Sequence, residues 1–125
     1  KRTHGLAYLN QLEGVQHIQL PVDKTNYSPN LYWVFGVVIT DQIVCEATEI
    51  MVALQKEGIG TRPYFWPMHE QPVFIKMGLF AGESYPIAEK IARKGFYLPS
   101  GLTLAEDNVA YISQNLVNIL KVYNE

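Results

Sequence analysis

The residues with the greatest chemical reach lie in one stretch, Gly60-Thr61-Arg62-Pro63-Tyr64-Phe65-Trp66-Pro67-Met68-His69-Glu70-Gln71-Pro72. Three aromatics in succession cannot all enter one core from a single extended strand, because successive side chains alternate faces. Some must face elsewhere. A patch of aromatics interleaved with Arg62, His69 and Gln71 suits a ligand wall or an interface. The plainer reading has the aromatics covering a sheet edge and His69 as a surface loop residue, since lone histidines and scattered surface aromatics are common. Physics alone leaves both readings open.

Other chemistry is harder to find. His4, His17 and His69 share no short spacing with one another or with Cys45, so no metal site is assigned. The chain has no Gly-x-Gly-x-x-Gly, no Walker loop, no Gly-x-Ser-x-Gly elbow and no paired histidines one helical turn apart. Asn26-Tyr27-Ser28 is a formal glycosylation triplet, but so short a match followed by proline is read as chance. The seven lysines (Lys1, Lys24, Lys56, Lys76, Lys90, Lys94 and Lys121) fall at the terminus, in polar loops or on helical faces, where solvated lysine is the default.

The elements that must position these groups follow from apolar spacing. With 125 residues, 48% hydrophobic and 18% charged, the chain is long and apolar enough for one domain with a sizeable core. Leu6, Leu9 and Leu12 suggest a short helix ended by Gly14, and Val15 to Leu20 an edge strand before Pro21. Leu31 to Ile39, aromatic and β-branched without alternation, reads as a central strand covered on both faces. Ala47, Ile50, Met51 and Leu54 mark a helix from Cys45 to Glu57 with Gly58 as its cap, followed by a short extended segment over 60–63. Tyr64 to Phe80 reads as irregular. Ser84 is expected to cap a helix with Pro86 in its first turn, Ile87 and Ile91 on one face and Gly95 at its end; Phe96 to Leu98 reads as a brief strand. Thr103 and Glu106 form a capping-box pattern opening a last helix along Val109, Ile112, Leu116, Ile119, Leu120 and Tyr123.

The expected fold is therefore a small α/β domain, a two-layer arrangement with three or four strands covered by helices. A formal charge of −2 argues against nucleic acid as partner, and no apolar run approaches the roughly 20 residues a membrane-spanning helix needs. A single cysteine fits a reducing compartment, and the cytoplasm is the expected location. The chain opens on Lys1-Arg2-Thr3-His4 without an initiator methionine or signal region, which reads as a piece of something longer.

Four segments in register then resemble a known family. Gly58-Ile59-Gly60-Thr61-Arg62-Pro63-Tyr64-Phe65-Trp66-Pro67-Met68-His69, Gln71-Pro72, Tyr85-Pro86-Ile87-Ala88-Glu89 and Leu98-Pro99-Ser100-Gly101-Leu102-Thr103 are similar to the C-terminal part of the DegT/DnrJ/EryC1/StrS family of pyridoxal-phosphate-dependent sugar aminotransferases. Tyr32-Trp33-Val34-Phe35-Gly36 is similar to a strand of its GDP-perosamine synthase branch, so the resemblance covers essentially the whole chain.

The resemblance implies a fold-type-I aminotransferase that acts as a homodimer. It moves an amino group from glutamate to a nucleotide-linked keto-sugar, with GDP-linked 4-keto-6-deoxymannose as the leading acceptor. Residues 1–125 would be its small C-terminal domain. The large domain would hold pyridoxal phosphate, the Schiff-base lysine and an aspartate facing the pyridinium nitrogen. No lysine here matches that role, so the isolated chain is expected to be inactive and to hold no catalytic or cofactor-binding residue of its own. The resemblance places the loop around Arg62 to Gln71 at the active-site mouth. Arg62, Tyr64, Trp66 and His69 are then the candidate substrate-binding residues: Arg62 as a planar fork for phosphate or carboxylate, Tyr64 and Trp66 stacking on sugar or nucleotide, and His69 contacting the sugar or its diphosphate. The alternative is a freestanding, noncatalytic α/β binding or regulatory module that uses the aromatic patch for a protein or small effector.

Overall fold

The apolar run around Val37 becomes an inner strand of a four-stranded antiparallel sheet. In the computed structural model, which describes residues 1–124, the chain runs through α1 (Arg2–Leu12), β1 (Ile18–Gln19), β2 (Phe35–Ile39), α2 (Ala47–Lys56), β3 (Arg62–Pro63), a 3-10 turn (Met68–Glu70), α3 (Pro72–Lys76), α4 (Pro86–Lys94), β4 (Gly95–Leu98) and α5 (Glu106–Tyr123). The sheet order is β1-β2-β4-β3. Phe35 stands opposite Leu98 and Val37 opposite Phe96, while Arg62 stands opposite Tyr97 on the far edge.

Two-residue alternation divides the sheet into two unlike faces. Phe35, Val37 and Ile39 of β2 and Phe96 and Leu98 of β4 enter one core. There they meet Tyr8 and Leu12 of α1, Ile50 and Leu54 of α2, and Val109, Ile112, Leu116 and Leu120 of α5. This is the two-layer α/β arrangement expected from the pattern. Gly36, Val38, Gly95 and Tyr97 point the other way, toward the segment that follows β3.

Local chemistry sets the boundaries. Glu49 accepts a hydrogen bond from the Glu46 backbone N–H at 3.1 Å, tying off the start of α2. Gly58, at φ +74°, closes its end, with the N–H groups of Ile59 and Gly58 donating to the carbonyls of Leu54 and Gln55. The Lys94 ammonium donates to the carbonyls of Ile43 and Cys45, both at 2.7 Å, and so fastens α4 to the loop before α2.

Several local expectations shift. The buried face of α1 is Gly5, Tyr8 and Leu12, with Leu6 exposed, because a three-residue step drifts around a 3.6-residue helix. Strand β2 begins only at Phe35: Tyr32 is held at φ +50°, which breaks extended backbone and leaves Leu31 and Trp33 exposed. Helix α5 starts at Glu106, where Asn108 rather than Glu106 closes the first turn by accepting from the Ala105 N–H at 3.1 Å. In α4 it is Ala92 that is buried while Ile87 is exposed, and Gly95 leads directly into β4 without a left-handed cap. Within the stretch read as irregular, Pro72 opens the one-turn helix α3. Among the described residues, no helix is long and apolar enough to cross a membrane.

Candidate functional site

Two of the candidate residues lie on the outer face of the sheet. Register carries Arg62 and Tyr64 to the same face of β3 and its extension, beside Tyr97 and Gly95 of β4. The Tyr64 ring lies across two glycines. A Cβ on Gly36 would stand 2.0 Å from the Tyr64 hydroxyl oxygen, and one on Gly95 would stand 2.4 Å from Cδ2 of the ring. Glycine at both positions is therefore what lets a ring lie flat on the strands. Tyr97 packs against Tyr64 with centroids 4.4 Å apart, and Phe65 meets Tyr97 edge-on at 6.0 Å. Burial pushes both tyrosine hydroxyls above their usual range. Tyr64 is thus committed to packing over much of its surface.

Arg62 differs. It is exposed and makes no ion pair or side-chain hydrogen bond among the described residues. It lines a cavity of about 310 Å³ with Lys1, Trp33, Tyr97, Leu98 and Ser100. The Lys1 ammonium there donates to the Ser100 carbonyl. A guanidinium with no partner among the described residues, in a cavity shared with Trp33 and Tyr97, is equipped to receive an anionic, planar ligand.

Beyond Tyr64, helix α4 grips the loop. The His69 Nε2 lies 2.8 Å from Glu89 Oε1, and its side chain keeps only 7% exposure. The same carboxylate oxygen accepts from the Tyr85 backbone N–H at 2.8 Å and from the Ser84 hydroxyl at 3.2 Å. The Tyr85 amide, followed by His69, holds the Glu89 carboxyl below the usual carboxylate range. One turn on, Arg93 forms a two-pronged pair with Glu70, at 2.9 and 3.1 Å. Its guanidinium carbon also lies 4.8 Å from the centre of the Trp66 ring. The bond to Glu70 raises the Arg93 pKa. Gln71 secures the loop from within by donating to the Trp66 carbonyl at 3.0 Å.

Trp66 and His69 are therefore both held against helix α4, through Arg93 and Glu89, whereas Tyr64 lies on the sheet and Arg62 lines a separate cavity with Tyr97. The sequence reading missed Glu70, Glu89 and Arg93. The spacing of Glu89 and Arg93, four residues apart on a helix, places them on one face and was a readable signal. Their partners 20 and 23 residues away were not. His69, Glu70 and Glu89 also offer ligand atoms within 4.8 Å of one another, yet both Glu70 oxygens are already engaged by Arg93. A larger cavity, about 570 Å³ between Gly58 and Tyr111, lies elsewhere, and two of its polar groups are already bonded: Asn108 to the start of α5 and Tyr111 to the Glu57 carbonyl.

A match to a family profile covers residues 1–117, and the profile is that of the DegT/DnrJ/EryC1/StrS aminotransferase family. The chain belongs to this family. The chain is 24% identical over 119 residues to the GDP-perosamine synthase of Vibrio cholerae, covering 94% of this chain and 31% of that protein. It is 32% identical over 85 residues to the GDP-perosamine synthase of Escherichia coli O157:H7, covering 68% and 22% respectively. The aminotransferase TlmJ from Streptoalloteichus hindustanus shares the fold, with a TM-score of 0.82 at 18% identity over 99% of this chain and 32% of that one. The chain spans less than a third of the length of these curated relatives.

Proposed function

We propose that these residues form the substrate-side small domain of a pyridoxal-phosphate-dependent nucleotide-sugar aminotransferase, which moves an amino group from glutamate to a keto-sugar nucleotide. By resemblance to the GDP-perosamine synthase branch, the leading acceptor is GDP-linked 4-keto-6-deoxymannose. The reading is carried by the family match along residues 1–117. Pyridoxal phosphate would supply the electron sink. The residues here do not fit the task of holding it covalently. Six of the seven lysines are exposed, and the amine of the seventh, Lys94, is bonded to two backbone carbonyls. The family resemblance puts the cofactor lysine in the large domain, and on this reading the 125-residue chain alone is inactive.

On this reading the outer face of the sheet is the wall of the substrate site. Arg62 binds the diphosphate with its free guanidinium, and Trp66, held on its ring by Arg93, offers an apolar surface to sugar or base. His69 contacts the sugar. Tyr64 acts mainly as the floor on which the loop rests. The exposed Phe65, Met68 and Ile75 are covered by the large domain or the second subunit of a homodimer in the cytoplasm.

The test is to express the full-length protein and add pyridoxal phosphate, glutamate and the GDP-keto-sugar. A yellow absorbance that bleaches with glutamate, together with an aminated GDP-sugar in mass spectra, is the expected result. No spectral change and no product would favour a freestanding binding module.

A further inference from the structure

We infer that Glu89 is the positioning residue for His69: it takes the imidazole Nε2–H and leaves Nδ1 as the ring nitrogen available to the nucleotide-sugar. This rests on the proposed role of His69 as a substrate contact. An ionised carboxylate accepts hydrogen bonds and donates none, so the nitrogen 2.8 Å from Glu89 Oε1 must carry the proton. Glu89 is itself fixed before it meets the histidine. Its Oε1 accepts from the Tyr85 amide and the Ser84 hydroxyl at the start of α4. Tyr85 packs edge-on against the imidazole, with centroids 4.9 Å apart, and so restricts the ring plane. Four residues on, Arg93 holds Glu70, the neighbour of His69, in a two-pronged pair. Glu89 and Arg93 on one helix face, with Tyr85 at the helix start, thus set the ring's proton, the path of the loop that carries it and the ring's plane. The arrangement is that of an imidazole oriented by a carboxylate so that the opposite nitrogen meets a ligand.

The test has two independent arms. In the full-length enzyme labelled with nitrogen-15 at histidine, the His69 Nε2–H proton is expected as a slowly exchanging resonance. Glu89→Ala removes that resonance, and Glu89→Gln, whose carbonyl oxygen still accepts, retains it. In the full-length enzyme, Glu89→Ala is expected to raise the Michaelis constant for the nucleotide-sugar about tenfold while leaving that for glutamate unchanged. Glu89→Gln recovers most of that loss. Absence of a protected Nε2–H in the unmodified chain overturns the positioning role without need of any variant, as does its persistence in Glu89→Ala. A protected proton together with unchanged Michaelis constants in both Glu89→Ala and His69→Asn overturns instead the reading of His69 as a substrate contact.

Discussion

The two faces of the sheet are built from the same two strands and do opposite things. The inner face spends Phe35, Val37, Ile39, Phe96 and Leu98 on a closed core in which every one of them is buried. The outer face carries glycine at two positions, fills them with a ring from elsewhere in the chain, and leaves Arg62 and Phe65 largely in the open. An inner-face residue is determined by its neighbours within these residues. An outer-face residue is only half explained by them, which is what a surface made to receive a ligand and a further domain looks like.

Substitutions should separate the faces by the kind of damage they do. On the inner face, Phe35→Ala leaves a cavity beside Tyr8 and Tyr32, whose rings lie 4.7 and 5.9 Å away. It is expected to cost about 3–5 kcal/mol in denaturant unfolding. On the outer face, Gly36→Ala forces the Tyr64 ring off the sheet, at about 1–3 kcal/mol. That effect should be much smaller in a Tyr64→Ala background, since the two sites share one contact. Additive effects would show that the ring does not rest on Gly36.

Acid should loosen the outer side selectively. The Glu89 carboxyl is held below its ordinary value of 4.5, so its contribution is present above that pH and is lost as pH falls through the depressed value. The Trp66 to Gln71 amides are therefore expected to lose hydrogen-exchange protection, measured against the intrinsic rate at each pH, below about pH 4.5 before the amides of β2 do. Simultaneous loss of protection in both would remove the distinction. The smallest stability change is expected at the rim, where Arg62→Ala should shift unfolding by less than about 0.5 kcal/mol because the side chain has no partner among the described residues to lose.

The inner face was legible in the sequence because its signal is local. The unbroken apolar run through Val37 and the stripe Val109, Ile112, Leu116 and Leu120 report burial through spacing alone. Where spacing misled, a competing local force won. Tyr32 in left-handed backbone cut short the run read as strand from Leu31, and the Asn108 side chain took the capping role that Thr103 and Glu106 spelled out. The outer face was legible only as a list of suspects. Arg62, Tyr64, Trp66 and His69 drew attention by type, yet nothing in their order reveals that Tyr64 lies on Gly36, 28 positions earlier, or that Glu89 and Arg93 hold the loop. Such pairings exist only once β4 has joined β2 to β3.

The most direct test of the central claim, that the outer face meets substrate, is a single kinetic comparison at Arg62. In the full-length enzyme, Arg62→Ala should raise the Michaelis constant for the nucleotide-sugar by about tenfold or more, the scale of a lost charge-assisted hydrogen bond, with the melting temperature unchanged. Arg62→Lys should restore little of it, because an ammonium cannot reproduce the planar fork. An unchanged Michaelis constant in the alanine variant would contradict the account and leave Arg62 a solvated surface residue.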